Sequence, residues 1–433
     1  GAMSPQASGS RRQPVQATSS KAVAAINLTK NLMGAGIFSL PMALHRGSLI
    51  PGLGIMLTAC VVQGCSFVMI AFLCEQLNCS SYRDVFGSAF GKRAGNMVDA
   101  LICTNSFFAC CSYNILVTDF LQKALEGLFG LVAFPRPMIV WFNTLLITMP
   151  LSHARNLSPL QYTSMMGIVI VGFVIMYVVS DFVFQFPDAH VNLKENKFRV
   201  DLGLFTTLAI CTGAFQAHYN SPKFFRELGC DLEAHKWVVK RSFLLAFAIY
   251  SAFAVSGMGL FGKDLMGNVL KNYPAEGNVP VLMCWLGMAF ATVFTYPLVF
   301  TTGRDSFIGL CPAVQRAAKK HPTRTHVVCT SIPVALIATL ACLVQDVSKI
   351  TGLLGATVGA SLCWIFPASV YLRVTSASAS ELHEAKVPLL PGRHSSVGPL
   401  VKGPSWMRTC AKGMVCVGFA SMAVGLSRTF GLI

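Results

Sequence analysis

Residues 27–41 read Asn27-Leu28-Thr29-Lys30-Asn31-Leu32-Met33-Gly34-Ala35-Gly36-Ile37-Phe38-Ser39-Leu40-Pro41. The stretch lies inside an apolar run, yet it is composed to break a helix. Gly34 and Gly36 weaken the helix at mid-membrane, and Pro41 frees a further backbone carbonyl. A second stretch has the same character: Thr212-Gly213-Ala214-Phe215-Gln216-Ala217-His218-Tyr219-Asn220-Ser221-Pro222, running on into Lys223-Phe224-Phe225-Arg226-Glu227-Leu228. Two interrupted hydrophobic segments at matching places in two halves of a chain mark inverted membrane repeats with a ligand at the breaks.

Reading outward from these stretches for charge-free runs gives eleven candidate spans: Ala22–Leu44, Pro51–Cys74, Ala100–Thr118, Pro137–Leu151, Leu160–Ser180, Leu202–Gln216, Ser242–Gly262, Asn278–Gly303, Val327–Gln345, Ile350–Leu372 and Gly413–Ser427. A bilayer core of about 30 Å takes roughly 20 apolar residues per helix. The fourth and last runs are short, and the first carries one charge, Lys30. All are predicted helices, because lipid offers unpaired backbone groups no partner and barrel-type alternation is missing. The interrupted runs are the first and the sixth, each heading a set of five. The predicted fold class is therefore an all-α polytopic membrane protein of eleven transmembrane helices: a 5+5 inverted repeat plus one, with helices one and six broken. The predicted parts are a tag scar (Gly1-Ala2-Met3) with a disordered cytosolic tail over 1–20, repeat one over 21–183 and repeat two over 184–373. A flexible cytosolic loop over 374–408 and helix eleven over 409–433 complete the chain.

Composition agrees. Of 433 residues, 54% are hydrophobic and 12% charged, about half the charge of a soluble domain. The net charge of +16 sits in short loops between apolar runs, which fits a membrane face and excludes nucleic acid as a partner. With the N-terminus inside, 22 of the 34 Lys and Arg fall in cytosolic segments, 10 fall outside, and Lys30 and Arg304 lie in helices. Sixteen cysteines form no CxxC pair, so neither a disulfide framework nor a metal site is indicated. The sequons at Asn27, Asn78 and Asn156 fall in the membrane or cytosol and are expected to carry no glycan. Gly355 and Gly359 have the spacing of close helix packing. No hydrolase, metalloprotease or channel-filter motif is found, and no cofactor is called for.

Broken helices expose backbone N–H groups that suit a carboxylate and carbonyls that suit an ammonium or a cation. A zwitterionic amino acid needs both. Gly34, Ala35, Gly36, Ile37, Gly213, Ala214 and Phe215 are accordingly the candidate substrate-binding residues, with Ile37 and Phe215 as an apolar wall. Neither break holds a carboxylate, which favours neutral over cationic amino acids. Lys30 precedes Gly34 by four residues, about 6 Å along a helix. A charge there costs roughly 3 kcal/mol, so it is expected to face protein or water, or to reach the cytosolic interface. His218, at the second break, is placed either to titrate or to bond the broken backbone. Asp119 reads as a helix-end pairing residue. Arg304 reads as a partner for Glu227 or Asp305.

Three stretches together resemble the amino acid/auxin permease family, within the superfamily that shares the LeuT-type fold. They are Asn27 to Pro41, Phe215-Gln216-Ala217-His218 through Glu227-Leu228, and Thr295-Tyr296-Pro297 through Arg304; Tyr113 through Asp119 is similar to the third helix. The resemblance implies an amino acid symporter working by alternating access. In its sodium-coupled neutral branch the Asn matching Asn27 helps hold the cation, with hydroxyls from helix eight. Lys30 is similar to the proton-assisted branch, whereas His218 matches the sodium-coupled and vacuolar branches. Asn27, Lys30, His218 and Thr295 are thus the candidates for ion coupling or gating, with the Lys30 ammonium standing in for sodium near Thr295. The expected partners are an amino acid, a coupling proton or sodium ion, and the lipid bilayer of a plasma or vacuolar/lysosomal membrane. The alternatives are sodium coupling, or a transporter-like sensor signalling through its cytosolic segments.

Overall fold

The computed structural model describes residues 17–130, 134–154, 160–274, 278–376 and 405–429. Among them there is no strand. The helices are α1 (Lys21–Leu32), α2 (Leu40–Gly47), α3 (Leu49–Leu77), α4 (Tyr82–Phe90), α5 (Lys92–Phe129), α6 (Arg136–Asn143), α7 (Met149–His153), α8 (Leu160–Phe184) and α9 (Phe186–Glu195). They continue as α10 (Gly203–Ala214), α11 (Ser221–Glu227), α12 (Leu232–Phe261), α13 (Val279–Leu310), α14 (Pro312–Lys320), α15 (Pro322–Leu343), α16 (Val347–Leu354), α17 (Phe366–Ser376) and α18 (Ser405–Thr429).

Eight helices among the described residues are long and apolar enough to cross a membrane: α3, α5, α8, α12, α13, α15, the continuous run of α16 into α17, and α18. The other three apolar runs are interrupted. The first is divided into α1 and α2 by a 3-10 turn over Ala35–Ser39. The fourth is α6, a wide π turn over Thr144–Thr148, and α7. The sixth stops at Ala214 and resumes as α11 after a 3-10 turn over His218–Asn220.

The two divided runs stop and restart by the same rule. Ser20 caps α1 by accepting from the Val23 amide, and Met33 leaves the helical conformation just before Gly34. α2 then restarts with Pro41 in its first turn, and α11 restarts with Pro222 in its first turn. At that position a proline has no hydrogen bond to lose and its fixed φ favours the helix. Pro41 therefore marks the restart of the helix, a correction to its reading as a residue that frees a carbonyl within one.

The loop expected over 374–408 is shorter at both ends. Val374 is buried in the bundle, so α17 runs on to Ser376, and α18 begins at Ser405. Arg408 donates to the Ser376 hydroxyl at 2.7 Å, tying the two helix ends together. Residues 377–404 lie outside the described residues, as do the tail over 1–16 and the third sequon at Asn156.

The run from α16 through α17 is the most enclosed, while α8 lies at the periphery with Val169 and Met176 each 73% exposed. Between α16 and α17 the backbone widens into π-type turns over Gly355–Ile365 and crosses α10 closely. A side chain at Gly355 would collide with the Ala209 carbonyl and sit 3.0 Å from the Gly213 amide. Close backbone approach at a small residue is how helices associate where lipid supplies no hydrophobic drive.

Candidate functional site

The two divided runs meet. A Cβ at Gly36 would lie 3.1 Å from the Ala214 Cα, so the backbone after the first break rests directly on the end of α10. The Tyr250 hydroxyl, on α12, joins both helix ends: it lies 2.6 Å from the Leu32 carbonyl and 3.1 Å from the Ala214 carbonyl. Those are the last residues of α1 and α10, whose carbonyls have lost their helical partners. Tyr250 is fully buried. Just before the first break and just after the second, Asn31 and Asn220 meet: Asn220 donates to the Asn31 side chain at 3.1 Å. Among the described residues, the backbone N–H of Gly36 shows no hydrogen-bond partner.

A cavity of about 480 Å³ adjoins this junction. That volume is within the range of small-molecule sites. α1 and its break contribute Asn27, Lys30, Asn31, Met33, Gly34 and Phe38; α5 contributes Ser106 and Tyr113. The second break adds Tyr219, Asn220 and Lys223, and α13 adds Thr292, Thr295 and Thr302. Among the described residues no Asp or Glu lines it, and Lys30 and Lys223 make it positive. The Tyr113 hydroxyl would stand 3.9 Å from a Cβ at Gly34.

The cavity opens toward the end of the bundle that bears the N-terminus, where Asn27, Asn31, Lys223 and Thr302 are exposed. The other end is closed. Phe38 packs edge-on against Phe120 and Phe253, at ring separations of 5.6 and 6.1 Å. Beyond that aromatic layer Asp119, 2% exposed, pairs with Arg136 at 2.6 Å and with Lys271 at 3.4 Å. Asn268 also reaches Asp119 at 3.4 Å. Asp119 is on α5, Arg136 on α6, Lys271 in the 3-10 turn Val269–Asn272 and Asn268 just before that turn, so one carboxylate ties three elements together.

The structure brings together four of the residues singled out from sequence: Asn27, Lys30, Gly34 and Thr295 line one cavity. The Thr295 hydroxyl donates to the Ala291 carbonyl at 2.8 Å. Gly36, Ile37, Gly213, Ala214 and Phe215 are not among its lining residues. Ile37 is buried, Phe215 stacks on Phe243 and packs against Tyr250, and Gly213 abuts the Thr351 carbonyl. Ala35 is described through its backbone alone. His218 points away from the cavity, toward α3: its Nε2 lies 2.7 Å from the Ser66 hydroxyl and 3.2 Å from the Gln63 carbonyl, with Phe67 edge-on. Arg304 pairs with Asp305 at 3.5 Å, while Glu227 pairs with Lys223. No sequence feature points to Tyr250, or to Arg136 and Lys271 as the partners of Asp119. A tyrosine in an apolar run carries no signal of what its hydroxyl reaches.

A multi-pass helical bundle with a cavity at the meeting of two interrupted helices has the build of a membrane transporter. The fold is similar to that of a manganese transporter from Eremococcus coleocola, with a TM-score of 0.51 and 12% identity over 94% of this chain and 86% of that one. The chain belongs to the transmembrane amino acid transporter protein family, whose model matches residues 17–389. It is 22% identical to sodium-coupled neutral amino acid transporter 7 of Xenopus laevis, over 92% of this chain and 86% of the relative. It is 25% identical to the amino acid transporter AVT6B of Arabidopsis thaliana over 81% of each, and 22% identical to vacuolar amino acid transporter 2 of Saccharomyces cerevisiae over 84% and 78%. The family and these relatives are transporters, not enzymes.

Proposed function

We propose that the chain is a proton-coupled symporter of neutral amino acids that works by alternating access, with its cavity open to the cytosol in the conformation described. The observation that carries this reading is the cavity itself: it sits where the two divided helices meet, it is open at one end, and a buried charge cluster closes the other. In this reading α1 with α2 forms span one, α6 with α7 span four and α10 with α11 span six. With the eight continuous helices they make eleven spans, arranged as two inverted sets of five plus one. The N-terminus is cytosolic, as the excess of Lys and Arg on that face supports.

The backbone at the first break, where Gly34 lines the cavity, and the ammonium groups of Lys30 and Lys223 receive the substrate carboxylate. The asparagine, tyrosine and threonine oxygens offer acceptors for its ammonium. The lack of acidic lining residues favours neutral substrates. Lys30 occupies the position of a coupling cation and cycles its proton between the two faces.

A second reading has support of its own. Asn27, Thr292 and Thr295 present oxygens to the same cavity, and relatives named as sodium-coupled transporters match most of the chain. Sodium and a charged Lys30 compete for one region, so one of them drives transport. The vacuolar relative favours a vacuolar or lysosomal membrane over the plasma membrane. Uptake of a panel of labelled amino acids into proteoliposomes tests the proposal. Saturable entry of neutral amino acids, with cationic ones excluded, is expected. Binding without flux would replace the transporter by a sensor.

A further inference from the structure

A second cavity, also of about 480 Å³, lies between α5, α13, α14 and α15 and shares Ser106 with the substrate cavity. Its wall is almost wholly hydrocarbon: Phe107 from α5, Phe300 and Phe307 from α13, Ile332 and Leu336 from α15, and Val314 from α14. The Arg304 guanidinium stands at its edge, held by the Thr330 hydroxyl and the Ser152 carbonyl. Such a wall accepts an alkyl chain and gives nothing to hold a polar amino acid.

The mouth of this cavity is charged. α14 joins the ends of α13 and α15, where both leave the membrane, and none of its residues is buried. It turns Val314 inward and leaves Arg316, Lys319 and Lys320 exposed, with Arg324 exposed just beyond it. Among the described residues none of these four has an ion-pair partner. From Ser306 to Gln345 the chain contains no Asp or Glu. Basic groups at the membrane surface attract anionic lipid headgroups, and basic pockets between transmembrane helices on the cytoplasmic side hold them.

We propose that this cavity is a site for an anionic phospholipid, with an acyl chain among Phe300, Phe307, Ile332 and Leu336 and the phosphate-bearing headgroup on Arg316, Lys319 and Lys320. The apolar wall alone would accept any hydrocarbon; the four unpaired cations at its mouth select the negative headgroup. α13 lines both cavities, with Phe300 and Phe307 facing the lipid and Thr295 and Thr302 facing the substrate. The lipid thus contacts a helix of the transport site. The inference needs only the membrane setting and is independent of the substrate or coupling ion.

The test is photocrosslinking of the full chain in liposomes, using phosphatidylserine or phosphatidylcholine with a diazirine in one acyl chain and mapping the adducts by mass spectrometry. Phosphatidylserine should label residues 300–307 and 328–337 about tenfold more than phosphatidylcholine does. Labelling at the lipid-facing Val169 and Met176 should not distinguish the two lipids. The triple substitution Arg316→Gln, Lys319→Gln and Lys320→Gln should remove the preference. Equal labelling by the two lipids, phosphatidylserine adducts spread evenly over lipid-facing helices, or a preference that survives the triple substitution would each overturn the proposal. The wild-type comparison stands even if the variant fails to fold.

Discussion

At the scale of single residues, Tyr250 is the sharpest test of the site. Its hydroxyl joins carbonyls that are 218 and 36 residues away in the chain. Tyr250→Phe removes the shared donor, leaving the Ala214 carbonyl without it and the Leu32 carbonyl with the Gly34 amide alone, and is expected to destabilise the protein by about 1–3 kcal/mol. Transport should fall with it, measured as initial uptake rate alongside thermal unfolding in detergent. His218 has the opposite standing, since it faces Ser66 and Gln63 inside the bundle. His218→Gln should lower the unfolding temperature and leave the pH profile of uptake in place; a shifted profile would make the histidine a titrating group of the cycle. Lys30 was legible because a charge in an apolar run needs a purpose, and Asn27 through the family resemblance; both line the cavity. Tyr250 was not legible, because the breaks it joins meet only when the chain folds.

At the scale of elements, the contact between the breaks and the closure of the far end carry separate expectations. Gly36 rests on Ala214, where even one methyl is tight at 3.1 Å. Gly36→Val should force the two breaks apart and abolish uptake while the chain still reaches the membrane, as surface or organelle staining would register. Asp119 is the shared partner of Arg136 and Lys271 at the closed end. Removing one member of a buried pair typically costs about 3–5 kcal/mol, because the other charge is left without compensation. Asp119→Asn should therefore shift the protein toward the conformation open at that end. Labelling of a cysteine placed at Ser39 by a membrane-impermeant reagent should rise; unchanged labelling would show that the closure rests on the aromatic layer instead. Gly34, Gly36 and Pro41 in the first run, and the polar groups with Pro222 in the sixth, lie where α1 and α10 give way to α2 and α11. Sequence periodicity could not reveal that each proline begins the next helix, because that depends on where the preceding helix releases its last carbonyl. Asp119 was legible as a pairing residue, but its partners Arg136 and Lys271 lie outside the apolar runs, where no periodicity says which helix they approach.

At the scale of the molecule, the eight continuous helices were legible because lipid demands long apolar runs and forbids unpaired backbone. Several ends were less legible, since α17 and α18 extend into residues whose composition suggested a loop. The family is shared with proteins named for sodium coupling and with one named for the vacuole, so family membership leaves the driving ion open. In this chain Lys30 lines the cavity together with Asn27 and Thr295. The decisive measurement is accumulation of a labelled neutral amino acid in sodium-free proteoliposomes under an imposed pH gradient, for the wild type and Lys30→Met. Wild-type protein should concentrate the substrate above equilibrium and lose that accumulation when a protonophore is added, and Lys30→Met should not accumulate it at all. Accumulation that needs a sodium gradient, or a Lys30→Met protein that still responds fully to pH, would contradict proton coupling through Lys30.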